Sequence, residues 1–417
     1  MIKVLINAYA CAPEIGSEPG MAWNWCVNLA KYCELFIITE SEFRNKIDAT
    51  VPTLPQGKNL HFYYNPVSEK VRQMCKNQGD WRFYHYYKKW QISTANIARK
   101  ICQNEQIDIL HQLNMTGFRE PGYLWKVSRE TGIPFVWGPI GGLKQFPMPY
   151  VEGCSTKMKS FLRIKNFLNK WQFAHDRRVD AAIKQASILI SSIPDSYRAI
   201  KKYKNRESII IPETGAFVQE NIIFDNERFT KDTLTLLWVG KFDFRKKLDI
   251  ALAALARTND INCVIKIFGT GNDSQVKRAK DLSRSLGIES KVQWMGNCPN
   301  AQIFKEMQNA SLILFTSVNE ETSTVVLEAI SNRLPVLCFD TCGMSKVVTE
   351  DIGIKIPLTT PEQSVKEFAN KIDYLYYHRE LLEQMSENCP KRAKELSWDN
   401  KAKLVLNLYK ETLHGKH

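Results

Sequence analysis

Short continuous apolar runs, each closed by a glycine-rich or polar turn and followed by a helical pattern, recur along almost the whole chain. Runs of this kind suit strands buried on both faces. Their alternation with helices indicates parallel sheets covered by helices on both sides. Residues 3–8, 35–39, 108–111, 135–137, 187–191 and 208–211 read as one set of strands. The segment 213–233 is polar and acidic and shows no period, so it reads as a connection between domains. The pattern then restarts, with strands at 234–239, 263–268, 292–295, 312–316 and 335–339 and a helix at 248–257. A chain of 417 residues has room for two such domains. The predicted organisation is α/β, with doubly wound domains at 1–220 and 221–396. An amphipathic C-terminal helix in 397–417 is expected to cross back to the first domain.

Composition narrows the class. Hydrophobic residues make up 44% and charged residues 24%, as in folded globular proteins rather than disordered ones. No run of about 18 apolar residues predicts a membrane-spanning helix. The apolar start at 2–8 is too short for a secretory signal. Eleven cysteines, an odd number, show no paired framework. Cys338 and Cys342 lack the second pair or histidines that would complete a metal site. Reduced thiols in a cytoplasmic protein, with no metal and no cofactor, are the expectation.

The formal charge of +13 suits nucleic acid, an anionic membrane surface or phosphate-bearing small molecules. No nucleic-acid motif accompanies it. Lys157, Lys159, Arg163, Lys165, Lys170, Arg177 and Arg178 share one predicted helical stretch with Phe161, Phe167 and Trp171. A second basic and aromatic run covers 81–90. A solvated face and a peripheral membrane contact both fit these stretches.

Open parallel sheets bind ligands beyond the carboxyl ends of their strands, so the turns there carry the chemistry. The turn from Gly240 through Lys241 to Lys246 follows an apolar strand and precedes a helix. Cations there suit a departing diphosphate, which gains charge in the transition state. An exposed basic turn is the plainer reading. In the segment from Glu320 to Ala329, Thr322 or Ser323 suits a helix N-cap, followed by Thr324. Free amides at such a helix start bind phosphate. Glu328, near the first turn, can accept from a ribose diol, and Glu320 from sugar hydroxyls. Ordinary helix and loop acids explain the same residues.

These motifs, in this order and spacing, resemble glycosyltransferase family 4, the retaining enzymes of the GT-B fold. The resemblance covers the Gly240–Lys241–Lys246 turn, the two glutamates Glu320 and Glu328, Ala329 and the strand from Pro335. It implies two Rossmann-like domains facing each other across a cleft. It also implies that Lys241 and Lys246 hold the diphosphate, Glu328 the ribose, and Glu320 the donor sugar. Gly269 and Gly271 match a turn beneath the nucleotide, and Asn297 and Cys298 a segment that meets the base. Gly16 and Gly20 resemble a glycine loop beside the diphosphate. His111 matches a histidine facing the donor sugar. Gly141, Gly142, Arg119 and Glu120 are placed toward the acceptor. The sequence departs from the family at Glu321-Thr322-Ser323, at Lys241 where Arg is usual, and at Lys247 where Gly is common.

The implied function is retaining transfer from a UDP- or GDP-sugar to a saccharide or lipid-linked saccharide, in bacterial capsule or lipopolysaccharide assembly. The implied partners are the nucleotide-sugar and the acceptor, with a peripheral contact to an anionic membrane open and no nucleic acid. A non-catalytic nucleotide-sugar binder and a nucleotide-sugar epimerase on the same fold are the alternatives.

Overall fold

A computed structural model describes residues 1–77, 80–151, 153–219 and 226–415. The predicted domain boundary at 220/221 and the middle of the predicted 213–233 connection lie outside the described residues. The chain forms two compact units. The first holds 1–143, 167–213 and the chain from Trp398 onward; the second holds 144–166 and 214–397.

In the first unit, among the described residues, seven strands make a parallel sheet. They are β1 Ile2–Ala8, β2 Cys33–Thr39, β3 Leu60–Tyr64, β4 Ile109–Asn114, β5 Phe135–Ile140, β6 Ile188–Ser191 and β7 Ile209–Ile210, in the order 3-2-1-4-5-6-7. In the second unit, β8 Leu234–Val239, β9 Cys263–Phe268, β10 Val292–Gly296, β11 Leu312–Phe315, β12 Val336–Phe339 and β13 Gly353–Ile356 pair in parallel in the order 10-9-8-11-12-13. Both sheets wind outward from an inner pair, β1/β4 and β8/β11. This reversal opens a crevice at the strands' carboxyl ends, where open α/β sheets take ligands. Helices cover both faces, which is why Leu312–Phe315 and Val336–Phe339 are apolar and buried throughout.

Several elements differ from the sequence reading. β4 does not end at His111 but runs to Asn114, and every one of its residues is buried. Its polar run breaks the apolar pattern because these side chains bond to one another inside the unit. Asn7 Nδ2 donates to Gln91 Oε1 (2.6 Å) and Gln112 Oε1 (2.8 Å). β5 continues through Gly138-Pro139-Ile140, a segment expected to be loop. A Cβ at Gly138 would lie 2.3 Å from the Ile190 carbonyl oxygen, so a side chain has no room there. β3 and β13 were not anticipated, their apolar runs being short.

Residues 144–166 correct the predicted domain assignment, because their apolar side chains enter the second unit's core. Phe146, Tyr150, Val151 and Leu162 are buried there. Tyr150 bonds Ser364 Oγ at 2.7 Å and packs edge-on against Phe339. The basic stretch is not one helix either. Helix Thr156–His175 ends before Asp176, whose Oδ1 accepts from the amides of Arg178 (2.7 Å) and Val179 (3.2 Å) and starts helix Arg177–Gln185. The C-terminal helix Trp398–Leu413 packs on helix Ser17–Leu29 in the first unit. It buries Ala402, Val405, Leu408 and Tyr409 there.

Candidate functional site

In the second unit, the loops after β8 and β11 diverge at the inner pair of strands and carry the motif residues. The Lys246 ammonium forms an ion pair with Glu320 Oε1. It lies 5.3 Å from the centre of the Phe315 ring. The two loops are pinned through their backbones. Thr316 Oγ1 donates to the Lys246 carbonyl (2.8 Å), and the Val318 amide to the Arg245 carbonyl (2.9 Å). Ser317 Oγ lies 3.1 Å from Glu320 Oε1. The Glu320 amide points to Cys342 Sγ at 3.2 Å, and burial raises that thiol to about 11. Cys342 is therefore a neutral acceptor rather than a nucleophile. Glu320 is fixed by side chain and backbone together.

Lys247 takes a left-handed conformation, φ 50°, directly before helix Leu248–Ala256. This is a backbone region that favours glycine. Lys247 is buried and paired with Asp249 at 2.8 Å, so its charge serves the helix start. Lys241 is exposed at the head of the turn.

Glycines bring the neighbouring turns together. The Gly240 amide donates to the Phe268 carbonyl and the Gly269 amide to the Gly296 carbonyl, at 2.9 and 2.7 Å. Gly269 has φ 129°, and a Cβ there would stand 1.8 Å from the Gly240 carbonyl oxygen. Gly271 packs against Phe242 and Gln275. Asn297 is exposed beyond β10, and Cys298 Sγ bonds the Met295 carbonyl at 3.4 Å.

Ser323 occupies the N-cap position of helix Thr324–Ser331 but makes no side-chain cap bond. Thr324 is exposed at the first turn. Thr322 is buried and packs against Gly343. Glu328 lies in the second turn rather than the first. It is half-buried, and burial alone raises its carboxyl above the usual range. A buried carboxylate gains when hydroxyl donors reach it, since these restore the lost solvation of its charge.

The first unit has its own crevice, between the loops after β1 and β4. Gly16 and Gly20 flank the start of helix Ser17–Leu29, and a Cβ at Gly20 would lie 1.8 Å from the Ile15 carbonyl oxygen. Glu18 from this loop accepts from Thr116 N (3.2 Å) and Oγ1 (2.7 Å), joining the two loops. Its Oε2 is buried, and burial raises its pKa. The Gly141 amide donates to the Thr116 carbonyl at 2.7 Å, and Gly142 turns with φ 75°. Glu120 is buried near Tyr87, and burial pushes its carboxyl up to about 7, against the opposing pull of Arg178 and Arg119. Arg119 stacks on Phe118 and donates to Gln172 Oε1 (2.6 Å) and to Asn169.

His111 does not face a donor sugar, which corrects its predicted role. It is fully buried in mid-strand. Nε2 lies 2.7 Å from the Gly138 carbonyl, which only accepts, so Nε2 carries the proton. Nδ1 then accepts from the Tyr409 hydroxyl at 2.5 Å. Burial holds the ring neutral, with a pKa of about 4. Both nitrogens are taken up in joining β4, β5 and the C-terminal helix.

Residues 219–392 match the family model described as glycosyl transferases group 1. The matched segment, less than half of the chain, carries the motif loops of the second unit and is similar to that family. Among curated relatives, a D-inositol 3-phosphate glycosyltransferase of Thermobifida fusca is 23% identical over 70% of this chain and 67% of its own length. A namesake from Corynebacterium urealyticum is 25% identical over 55% of this chain and 57% of its own length. A lipopolysaccharide 1,6-galactosyltransferase of Salmonella typhimurium is 32% identical over 25% of this chain and 29% of its own length. Two solved structures align over essentially the whole of both chains. The lipopolysaccharide outer core galactosyltransferase WaaB gives a TM-score of 0.63 at 14% identity, covering 100% of each chain. Anabaena HepE in complex with UDP gives 0.62 at 13%, covering 99% of this chain and 100% of its own. At such identities the likeness carries the fold, which is GT-B.

Sequence reasoning about this glycosyltransferase missed several residues that build the site. Thr316, Ser317 and Cys342 hold Lys246 and Glu320, and Glu18 joins the first unit's loops. Lys144 bonds Thr341 Oγ1 and sits close to Cys342, which adds a cation beside the Glu320 loop. Nothing in the local sequence around Lys144 signals that position.

Proposed function

We propose that this glycosyltransferase moves a sugar, with retention, from a UDP- or GDP-sugar to a saccharide or lipid-linked saccharide in bacterial surface polysaccharide assembly. The observation that carries the reading is the Lys246–Glu320 pair at the inner strands of the second unit's sheet. Glu320 lies on the loop before helix Thr324–Ser331, on which half-buried Glu328 stands. Lys246, Lys241 and the helix amides supply fixed positive charge for a diphosphate. Glu328 receives the ribose hydroxyls, and Glu320, oriented by Lys246, receives hydroxyls of the sugar. The Gly240, Gly269 and Gly271 turns let the backbone approach the nucleotide.

The acceptor hydroxyl oxygen bonds to the anomeric carbon on the face from which the diphosphate leaves. The carbon–oxygen bond to the β-phosphate breaks, its electron pair stays on that phosphate, and the phosphate takes the acceptor proton. Lysines and helix amides supply the charge stabilisation, so the reaction proceeds without a metal. Uridine donors find support in the UDP bound to HepE, and saccharide acceptors in the name of the lipopolysaccharide 1,6-galactosyltransferase of Salmonella typhimurium.

A thermal-shift screen against UDP, GDP, ADP and their common sugars, with and without EDTA, tests this. Stabilisation by UDP or GDP that EDTA leaves intact, followed by donor turnover, is expected. No shift with either nucleotide, or a shift abolished by EDTA, overturns it.

A further inference from the structure

Helix Thr156–His175 carries two opposite apolar faces. One faces inward and buries Leu162, Asn169 and Phe173. The other faces outward, with Phe161, Ile164, Phe167, Leu168 and Trp171 exposed at 57%, 58%, 65%, 41% and 54%. The spacing 161, 164, 168, 171 is that of one helical stripe. Five neighbouring large apolar side chains left to water on a folded protein mark an interaction surface rather than scatter.

The charge on the helix is one-sided as well. Lys157, Lys159, Arg163, Lys165 and Lys170 lie on it, and it has no aspartate or glutamate. Helical angles place Arg163, Lys170 and Lys159 along one flank of the stripe and Lys165 along the other. Trp81 and Tyr84, in the first unit, form a second exposed aromatic pair, at 77% and 50%.

We propose that this outward face docks the enzyme on an anionic lipid surface, with Phe161, Ile164, Leu168 and Trp171 entering the headgroup boundary and the flanking cations meeting lipid phosphates. An apolar stripe bordered by cations, with an inward face fixed to the protein, is the pattern of a helix lying in a membrane interface. A second copy of the chain is a poor occupant, because pairing the two helices would set five cations against five and no acid. The proposal does not depend on the donor reading. It deepens the acceptor reading only by stating where a lipid-linked acceptor is met.

The test is sedimentation of the full chain with vesicles of phosphatidylcholine alone or of phosphatidylcholine and phosphatidylglycerol in equal parts. Binding to the anionic vesicles only, weakening as salt rises, is expected. The variant Phe161→Ser/Ile164→Ser/Trp171→Ser and the variant Lys157→Gln/Arg163→Gln/Lys170→Gln should each lose at least about tenfold in partition. Their melting temperature and donor hydrolysis should match the parent. Trp171→Ala alone, which removes only one exposed ring, provides a second reading if the triple serine variant fails to fold. Absent binding by the parent, equal binding to neutral vesicles, or unchanged binding by the variants overturns the proposal. So does a parent dimer in sedimentation velocity that the serine variant converts to monomer. Failure here with intact donor hydrolysis leaves the glycosyl-transfer reading standing, and the reverse holds too.

Discussion

Lys246 and Glu320 each neutralise the other while half-buried, and the proposed function gives each a different part of the nucleotide-sugar to meet. Lys246→Ala should lower kcat by roughly 100-fold or more, because charge at the leaving group acts mainly in the transition state. Single-turnover donor hydrolysis measures this, and near-parental turnover would remove Lys246 from the mechanism. Glu120 gives a pH signature. Its folded pKa of about 7 lies above the ordinary value of 4.5, so the folded state holds its proton longer than the unfolded state does. Its protonated form favours the fold below pH 4.5, and that contribution disappears as pH rises from 4.5 through 7. Glu120→Gln should therefore flatten the melting profile over this window and gain about 1–3 kcal/mol above pH 7. A profile parallel to the parent's would show that Glu120 is ionised at ordinary cost. The family resemblance made His111 a candidate; its burial and two hydrogen bonds show it to be structural.

At the scale of elements, the turns after the strands depend on contacts far apart in sequence. Gly269→Ala places a methyl against the Gly240 carbonyl and demands a φ that alanine avoids. It should cost about 2–4 kcal/mol and weaken nucleotide binding together, as calorimetry and titration would show. Stability lost without any loss of binding would separate the turn from the site. Helix Thr324–Ser331 was readable from its N-cap signal: Ser323 stands at the N-cap, and Glu328 follows just beyond the first turn. Lys247 stands where glycine is common, yet the left-handed backbone remains, with the lysine buried and paired to Asp249. The polar strand β4 was cut short in the sequence reading because its hydrogen-bonding partners, Asn7 for Gln112 and Ala10 for Asn114, come from distant elements.

Within the first unit, the C-terminal helix Trp398–Leu413 completes a core begun some 390 residues earlier. Removing residues from Trp398 onward should expose Trp25, Leu29 and the buried His111, and should give aggregation or loss of near-UV dichroism. A truncated chain that stays soluble with parental melting would show that the helix is dispensable. Tyr409→Phe is the milder test; it leaves His111 Nδ1 without a donor and should cost about 1–2 kcal/mol. By itself the sequence determined the α/β class, the two-fold restart of the strand pattern and the motif residues of the second unit. Those features are local: apolar runs, glycine turns and caps are set by neighbours in the chain. The tertiary structure alone decided that Lys246 meets Glu320, that residues 144–166 pack with the second unit, that His111 is sealed by Tyr409, and that one face of helix Thr156–His175 stays in water. Each of these depends on which distant surfaces meet or fail to meet, and the strand order around β1/β4 and β8/β11 fixes that, not the spacing of residues along the chain.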